Sequence, residues 1–271
     1  MMSKEQQRSI AITSGKGGVG KSCIAYNLAE SISQKGIKTL LIDTDFGLGS
    51  CSVLAGVHSN FTLEDILLGR CKPIEASVEC PSGLYILPAS SSGKKTDWSE
   101  GRNNKIVAKS LVDFETQFEF IVVDTPAGLG TSTIETVSST NNQMLILTPD
   151  PTAIADAYAS LKILYAQRKD LTVQLLTNMV ESEREAENLQ VKFAELVQRF
   201  LGAQIENIGY IPIDRLVREG VKRQLPFVTF KPTPPAAEAV ELLANKCLSR
   251  NQDNSFSFFE RVLMLRAKGL K

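Results

Sequence analysis

Gly15-Lys16-Gly17-Gly18-Val19-Gly20-Lys21-Ser22 follows the apolar stretch Ser9–Thr13 (SIAIT) and runs into a helical pattern over Lys21–Gln34. The spacing is G-x-x-x-x-G-K-[ST], and its place between a strand and a helix makes it a phosphate-binding loop. Glycines let backbone N–H groups turn inward around a phosphate, and the helix N-terminus adds its positive end. Lys21 is expected to reach the β- and γ-phosphate oxygens, and the Ser22 hydroxyl to complete a Mg²⁺ shell. The nucleotide-contacting stretch is expected to be Gly15, Lys16, Gly17, Gly18, Val19, Gly20, Lys21, Ser22 and Cys23.

Further along the chain, short apolar runs alternate with longer helical patterns. Thr39–Ile42, Leu84–Leu87, Phe120–Val123, Met144–Leu147, Val173–Leu176 and Ile208–Ile211 read as strands, several of them apolar throughout. That is what a parallel strand buried on both faces requires. Helical stretches near Lys105–Phe114, Thr152–Ala166, Glu183–Phe200 and Ala236–Cys247 lie between them. The fold class is therefore α/β, a mostly parallel central sheet with helices on both faces. Ser90–Gly101 reads as an exposed loop. One domain is expected over residues 1–248, and a polar tether with an amphipathic helix over 249–271.

Composition excludes several other readings. The 271 residues are 43% apolar and 22% charged, ordinary for a globular chain. Thirty basic residues balance thirty acidic ones, so no global field draws the chain to nucleic acid. No run approaches a membrane span, and the N-terminal residues lack a signal-peptide core, so a cytoplasmic location is expected. Five cysteines without a C-x-x-C pair, and His58 as the single histidine, argue against a zinc site, a disulfide framework and a Ser-His-Asp triad.

Two more segments end strands with carboxylates, at the edge where open α/β sheets bind ligands. They are Leu41-Ile42-Asp43-Thr44-Asp45 and Phe120-Ile121-Val122-Val123-Asp124-Thr125-Pro126-Ala127-Gly128. Alone, an Asp after a buried strand is more often a cap. Beside a phosphate loop the metal role is favoured for Asp124.

Lys-Gly-Gly-Val-Gly-Lys-Ser resembles the deviant Walker A loop of the MinD/ParA ATPases, with Lys16 as the signature lysine. The resemblance implies ATP and Mg²⁺ as cofactors and an ATP-sandwich homodimer, with Lys16 reaching nucleotide on the second subunit. It implies that Asp45 orients the attacking water, and that Asp43 belongs with Ser22 and Asp124 to the magnesium surroundings. It places Asn178 and Pro212-Ile213-Asp214 around adenine, and Asp150 near the partner subunit's nucleotide. Thr148-Pro149-Asp150-Pro151-Thr152, continuing to Asp156-Ala157-Tyr158, resembles the FlhG branch (also called FleN or YlxH). That branch controls the number and placement of flagella. Two departures stand out: Pro126 replaces a glycine common in FlhG, and Gln6-Gln7-Arg8 does not match the arm that activates an FlhF-like GTPase. Such a GTPase, or flagellar regulator proteins, enter as partners only through the resemblance.

The alternatives are a MinD-type division-site regulator, a ParA-type DNA-partitioning ATPase, an iron–sulfur carrier and a metabolic ligase or kinase. Neutral charge and the expected lack of a Lys/Arg-rich helix late in the domain count against nucleic acid as a partner. For an iron–sulfur carrier, Cys71 and Cys80 are the one close pair. Finally, Ser255–Lys271 places Phe258, Phe259, Val262, Leu263, Leu265 and Leu270 on one helical half, with four basic residues and one acidic residue in the segment. Such a helix suits an anionic inner-membrane surface, giving reversible peripheral association. The alternatives are a helix packed on its own domain, and one docked in the monomer and freed in the dimer.

Overall fold

In the computed structural model the apolar runs line up as one sheet, with the loop-bearing strand near its middle. The structure describes residues 8–47, 49–89, 98–128, 130–168, 172–249 and 257–264. The strands are β1 (Arg8–Thr13), β2 (Thr39–Asp43), β3 (Val78–Glu79), β4 (Tyr85–Leu87), β5 (Phe120–Asp124), β6 (Asn142–Leu147), β7 (Val173–Val180) and β8 (Ile205–Pro212). Their order is β3-β4-β2-β5-β1-β6-β7-β8, parallel throughout except for β3 against β4. Register sets Asp43 beside Asp124, and Asp124 beside Ile12 of β1. The carboxylates and the phosphate loop thus leave the sheet at one edge.

The helices are α1 (Lys21–Ser33), α2 (Cys51–Ala55), α3 (Leu63–Leu67), α4 (Pro73–Ala76), α5 (Trp98–Arg102), α6 (Lys105–Glu115), α7 (Thr131–Ser139), α8 (Pro151–Gln167), α9 (Glu183–Leu201), α10 (Arg215–Arg223), α11 (Pro235–Ser249) and α12 (Phe258–Met264). Strand residues alternate between the two faces, as the period of two demands. Ile10, Ile12, Leu41 and Val122 pack with α1 and α11 on one side. On the other, Leu40, Ile42, Ile121 and Val123 pack with α3, α5, α6 and α12. Ala11, Leu145, Leu147 and Leu175 pack with α7, α8 and α9 on that same second face.

One expectation needs correcting, and the structure shows where the C-terminal helix lies. Gly101 and Trp98, placed in an exposed loop by their polar neighbours, belong to α5, and both are buried; residues 90–97 lie outside the described residues. The C-terminal helix is docked here rather than presenting its apolar half outward. Phe258, Phe259, Val262 and Leu263 are buried in the core they share with Trp98, Val107 and Leu111. Most of the tether, together with Phe256, Leu265 and Leu270, falls outside the described residues.

Opposite charges hold the two ends of α12, each matching the helix dipole. Both oxygens of the buried Glu115 carboxylate accept N–H groups at its start, from Phe258 at 2.6 Å and from Phe259 at 2.8 Å. The Arg102 guanidinium donates to the Val262 carbonyl near its end. Burial pushes Glu115 up to about 7, against the lowering effect of those two N–H groups. A carboxyl with a raised folded-state pKa binds its proton more tightly folded than unfolded. Its stabilising contribution is complete below about pH 4.5 and is lost as pH rises through about 7. Glu115→Gln should therefore gain stability on the wild type between pH 5 and pH 8, by an amount on the order of a few kcal/mol. Paired thermal melts across that range check it; a pH-independent difference contradicts the assignment.

Candidate functional site

The phosphate loop is shaped by contacts at both ends. Gly18 and Gly20 have φ of 81° and 88°, the left-handed region that glycine adopts without a Cβ penalty. Gly15 lies against the backbone of α8, where a Cβ would sit 2.2 Å from the Asp156 carbonyl carbon. The Ser14 hydroxyl donates to Lys16 O at 2.9 Å, and Gly128 N–H donates to Ser14 O at 3.2 Å. That second bond joins the loop to the segment after β5.

The two lysines have separate settings. Lys21 is buried, with Nζ 2.7 Å from Asp124 Oδ1. Lys16 stands on the outside of the loop, its Nζ 2.8 Å from Asp150 Oδ2 and 2.6 Å from Thr152 Oγ1. Asp150 also caps α8 by accepting from Thr152 N–H. Lys16 first, then Thr152, hold the Asp150 carboxyl below its ordinary range.

Behind Lys21 lies a buried cluster of Asp43, Asp124 and Cys51, with ligating atoms all within 4.8 Å of one another. Asp43 accepts from Asp45 N–H at 3.0 Å through Oδ1, and from Ser50 and Cys51 N–H at 2.8 and 3.0 Å through Oδ2. Its carboxylate thus pins the loop that carries Asp45. Burial and the neighbouring Asp124 push Asp43 up to about 6. The Cys51 thiol lies 3.5 Å from Asp124 Oδ2, and burial raises its pKa. Thr44 donates to Asp124 O through both N–H and Oγ1. One lysine against two buried carboxylates leaves negative charge to be balanced, which suits a divalent cation near Ser22 and Asp124.

Beside α1 opens a cavity of about 500 Å³ lined by Gly20, Cys23, Asn178, Pro212, Ile213 and Asp214 among others. Asn178 Nδ2 donates to Val19 O at 2.8 Å, so the residue also braces the phosphate loop. Its neighbour Met179 has φ 59°, a left-handed turn that ends the regular part of β7. Asp214 caps α10 through Leu216 N–H.

The family model that matches this chain is ParA, described as NUBPL iron-transfer P-loop NTPase, over residues 5–248. The chain belongs to the ParA/MinD family of P-loop NTPases. It is 32% identical to the antiactivator FleN of Pseudomonas aeruginosa over 265 residues, covering 96% of this chain and 95% of that protein. It is 30% identical to the flagellum site-determining protein YlxH of Helicobacter pylori, covering 96% and 91%. Among solved structures, the septum site-determining protein MinD with Mg-ADP from Pyrococcus horikoshii superposes with a TM-score of 0.69 at 29% identity, covering 89% and 95%. Members of the ParA/MinD family are ATPases, and Mg²⁺ is their usual companion ion.

In this ParA/MinD chain every residue expected at the site stands at the same sheet edge. Lys16, Lys21, Ser22, Asp43, Asp45 and Asp124 gather at the ends of β1, β2 and β5, and the residues expected around the base line the neighbouring cavity. Three contributors escaped the sequence reading. Cys51 is brought to Asp124 by the turn that Asp43 holds. Arg218 and Lys222 reach the cavity wall from α10. That helix carries Arg215, Arg218, Lys222 and Arg223 against Glu219, so a Lys/Arg-rich helix does exist late in the domain. Its signal was present in the basic spacing of residues 215–223. Cys71 and Cys80 are both free thiols pushed up to about 11, chiefly by burial.

Proposed function

We propose that this chain is an ATP-dependent dimerising switch with slow ATP hydrolysis. It sets the number or placement of polar structures, flagella foremost, and associates reversibly with an anionic membrane surface. The flagellar part rests on FleN and YlxH, similar over nearly the whole chain. The observation that carries the switch reading is the split between the two loop lysines. Lys21 lies inside the cradle on Asp124, whereas Lys16 lies outside it on an exposed pair. A cation on the outer rim is available to phosphates held by a second copy.

The residues then divide the work. Inward N–H groups of Gly17–Lys21 and the Lys21 ammonium bind the phosphates, and Ser22 and Asp124 hold Mg²⁺. When bound, the ion neutralises charge on the β- and γ-phosphates. Asp43, with both oxygens engaged by backbone N–H groups, fixes the loop so that Asp45 positions water. Cys23, Asn178, Pro212, Ile213 and Asp214 enclose the base. The P-loop's outer face, with Met179, Glu181 and Ile213 beside Lys16 and Asp150, forms a cavity of about 480 Å³. That face is where the second copy docks. Docked α12 represents the resting arrangement, and the membrane reading requires it to leave. Among the described residues no helix is long and apolar enough to cross a membrane.

Sedimentation with vesicles containing anionic phospholipid, read together with light scattering, tests this. Wild type is expected to dimerise in ATP and to pellet more with ATP than with ADP. Lys16→Ala is expected to keep ATP binding and lose both dimer and ATP-stimulated pelleting. A normal ATP dimer from Lys16→Ala removes the cross-subunit role. Vesicle binding insensitive to nucleotide in the wild type removes the membrane switch.

A further inference from the structure

The indole of Trp98 touches three parts of the chain that are remote in sequence. It meets Phe46, the residue after Asp45, edge-on with centroids 5.6 Å apart and planes at 82°. It meets Phe258 at 5.9 Å and Phe259 at 6.3 Å, at the start of α12. Its Nε1–H donates to Thr136 Oγ1 at 3.0 Å. Thr136 lies on α7, the helix that follows the Asp124–Gly128 segment. Arg102, on the same short helix as Trp98, repeats the pattern with charge. It donates to Val262 O of α12 and pairs with Glu135 of α7 at 2.7 Å, both side chains nearly inaccessible.

We infer that Trp98 is a positioning residue for ATP hydrolysis, held in place while α12 is docked, so that release of α12 slows turnover. The inference rests on the reading of Asp45 as the water-positioning group. Phe46 is nearly inaccessible and Trp98 wholly so, and close-packed rings in such a core cannot shift without displacing what they touch. Edge-to-face aromatic pairs add a preferred geometry to that constraint. The ring thus fixes Phe46, and with it the backbone that carries Asp45. Through Thr136 it fixes α7, whose first turn follows the segment hydrogen-bonded to Ser14. Hydrolysis is sensitive to such placement, since a misplacement of about 1 Å can cost about 100-fold in rate. Because α12 and the Asp45 loop share one ring, each biases the other's equilibrium by the same factor.

The test uses the full chain and separates turnover from binding. Trp98→Phe keeps an aromatic ring but removes the Nε1–H donor. Thr136→Val removes the acceptor at constant shape, and Phe259→Ala loosens the α12 side. Each is expected to lower kcat for ATP about five- to tenfold while KM stays within about twofold. The Trp98→Phe/Thr136→Val double variant should be no slower than the slower single, as expected for two halves of one bond. Trp98 is the sole tryptophan, so its emission should shift when Mg-ATP is added to wild type and be shifted beforehand in Phe259→Ala. An indole that only stabilises the fold would lower the melting temperature and leave kcat of the folded variants at the wild-type value. That result, or emission indifferent to both nucleotide and Phe259→Ala, overturns the inference alone. Absence of ATP turnover in wild type overturns the reading of Asp45 together with it.

Discussion

Asp45→Ala should bind ATP and pair with a second copy, yet turn ATP over at least about 100-fold more slowly than wild type. The groups that grip the phosphates are the loop N–H groups and Lys21, which pairs with Asp124. Asp45 Oδ1 accepts Gly47 N–H at 3.1 Å within its own turn, and the turn is anchored by Asp43 rather than by Asp45. Removing the Asp45 side chain therefore leaves the cradle and the loop anchor in place. Light scattering in ATP and a phosphate-release assay decide the matter. Loss of the ATP dimer, or a wild-type rate, contradicts the role.

Gly15→Ala is the second large effect, and it is one of packing. A Cβ at residue 15 would lie 2.2 Å from Asp156 C, 2.3 Å from Ala157 N and 2.5 Å from Asp156 O, all backbone atoms of α8. No rotamer relieves a clash with main chain, so β1 and α8 must part. A cost of roughly 3 kcal/mol or more follows, with loss of ATP binding. Gly17→Ala is the control, since its added Cβ would meet nothing closer than Ala127 Cβ at 4.0 Å. Thermal melts without nucleotide should show a large drop for Gly15→Ala and little change for Gly17→Ala. Equal melts would contradict the packing argument.

The parts of the site readable from sequence were those whose chemistry is local. The phosphate loop declares itself because left-handed backbone needs Gly18 and Gly20, and because Lys21 and Ser22 follow at fixed offsets. Asp43 and Asp124 were readable because apolar strands end on them. Cys51 was not, since nothing in a five-residue helix says that its thiol reaches the end of another strand. Trp98 was hidden by polar neighbours, whose composition reads as loop while the indole lies in the core. In α12 the apolar stripe specifies only that something covers Phe258, Phe259 and Val262. A bilayer and the groove beside Trp98 satisfy that pattern equally, and the deciding partners, Glu115 and Arg102, lie more than a hundred residues away.

The perch of Lys16 on Asp150 and Thr152 has a consequence for timing. The contact is largely exposed, with side chains 40% and 45% accessible, so water and salt screen it and it opposes departure only weakly. Exposed side chains change rotamer in picoseconds to nanoseconds. Under the dimerising reading proposed above, the lysine is ready for a neighbouring copy long before the rest of the switch has moved. The slow elements are backbone ones. The turn from Asp43 to Cys51 is stitched by three N–H groups to a single buried carboxylate, and the strand ends are laced together through Thr44 and Asp124. Rearranging such a turn belongs to the microsecond-to-millisecond range. Under that reading it is there, not at Lys16, that the pace of switching is set.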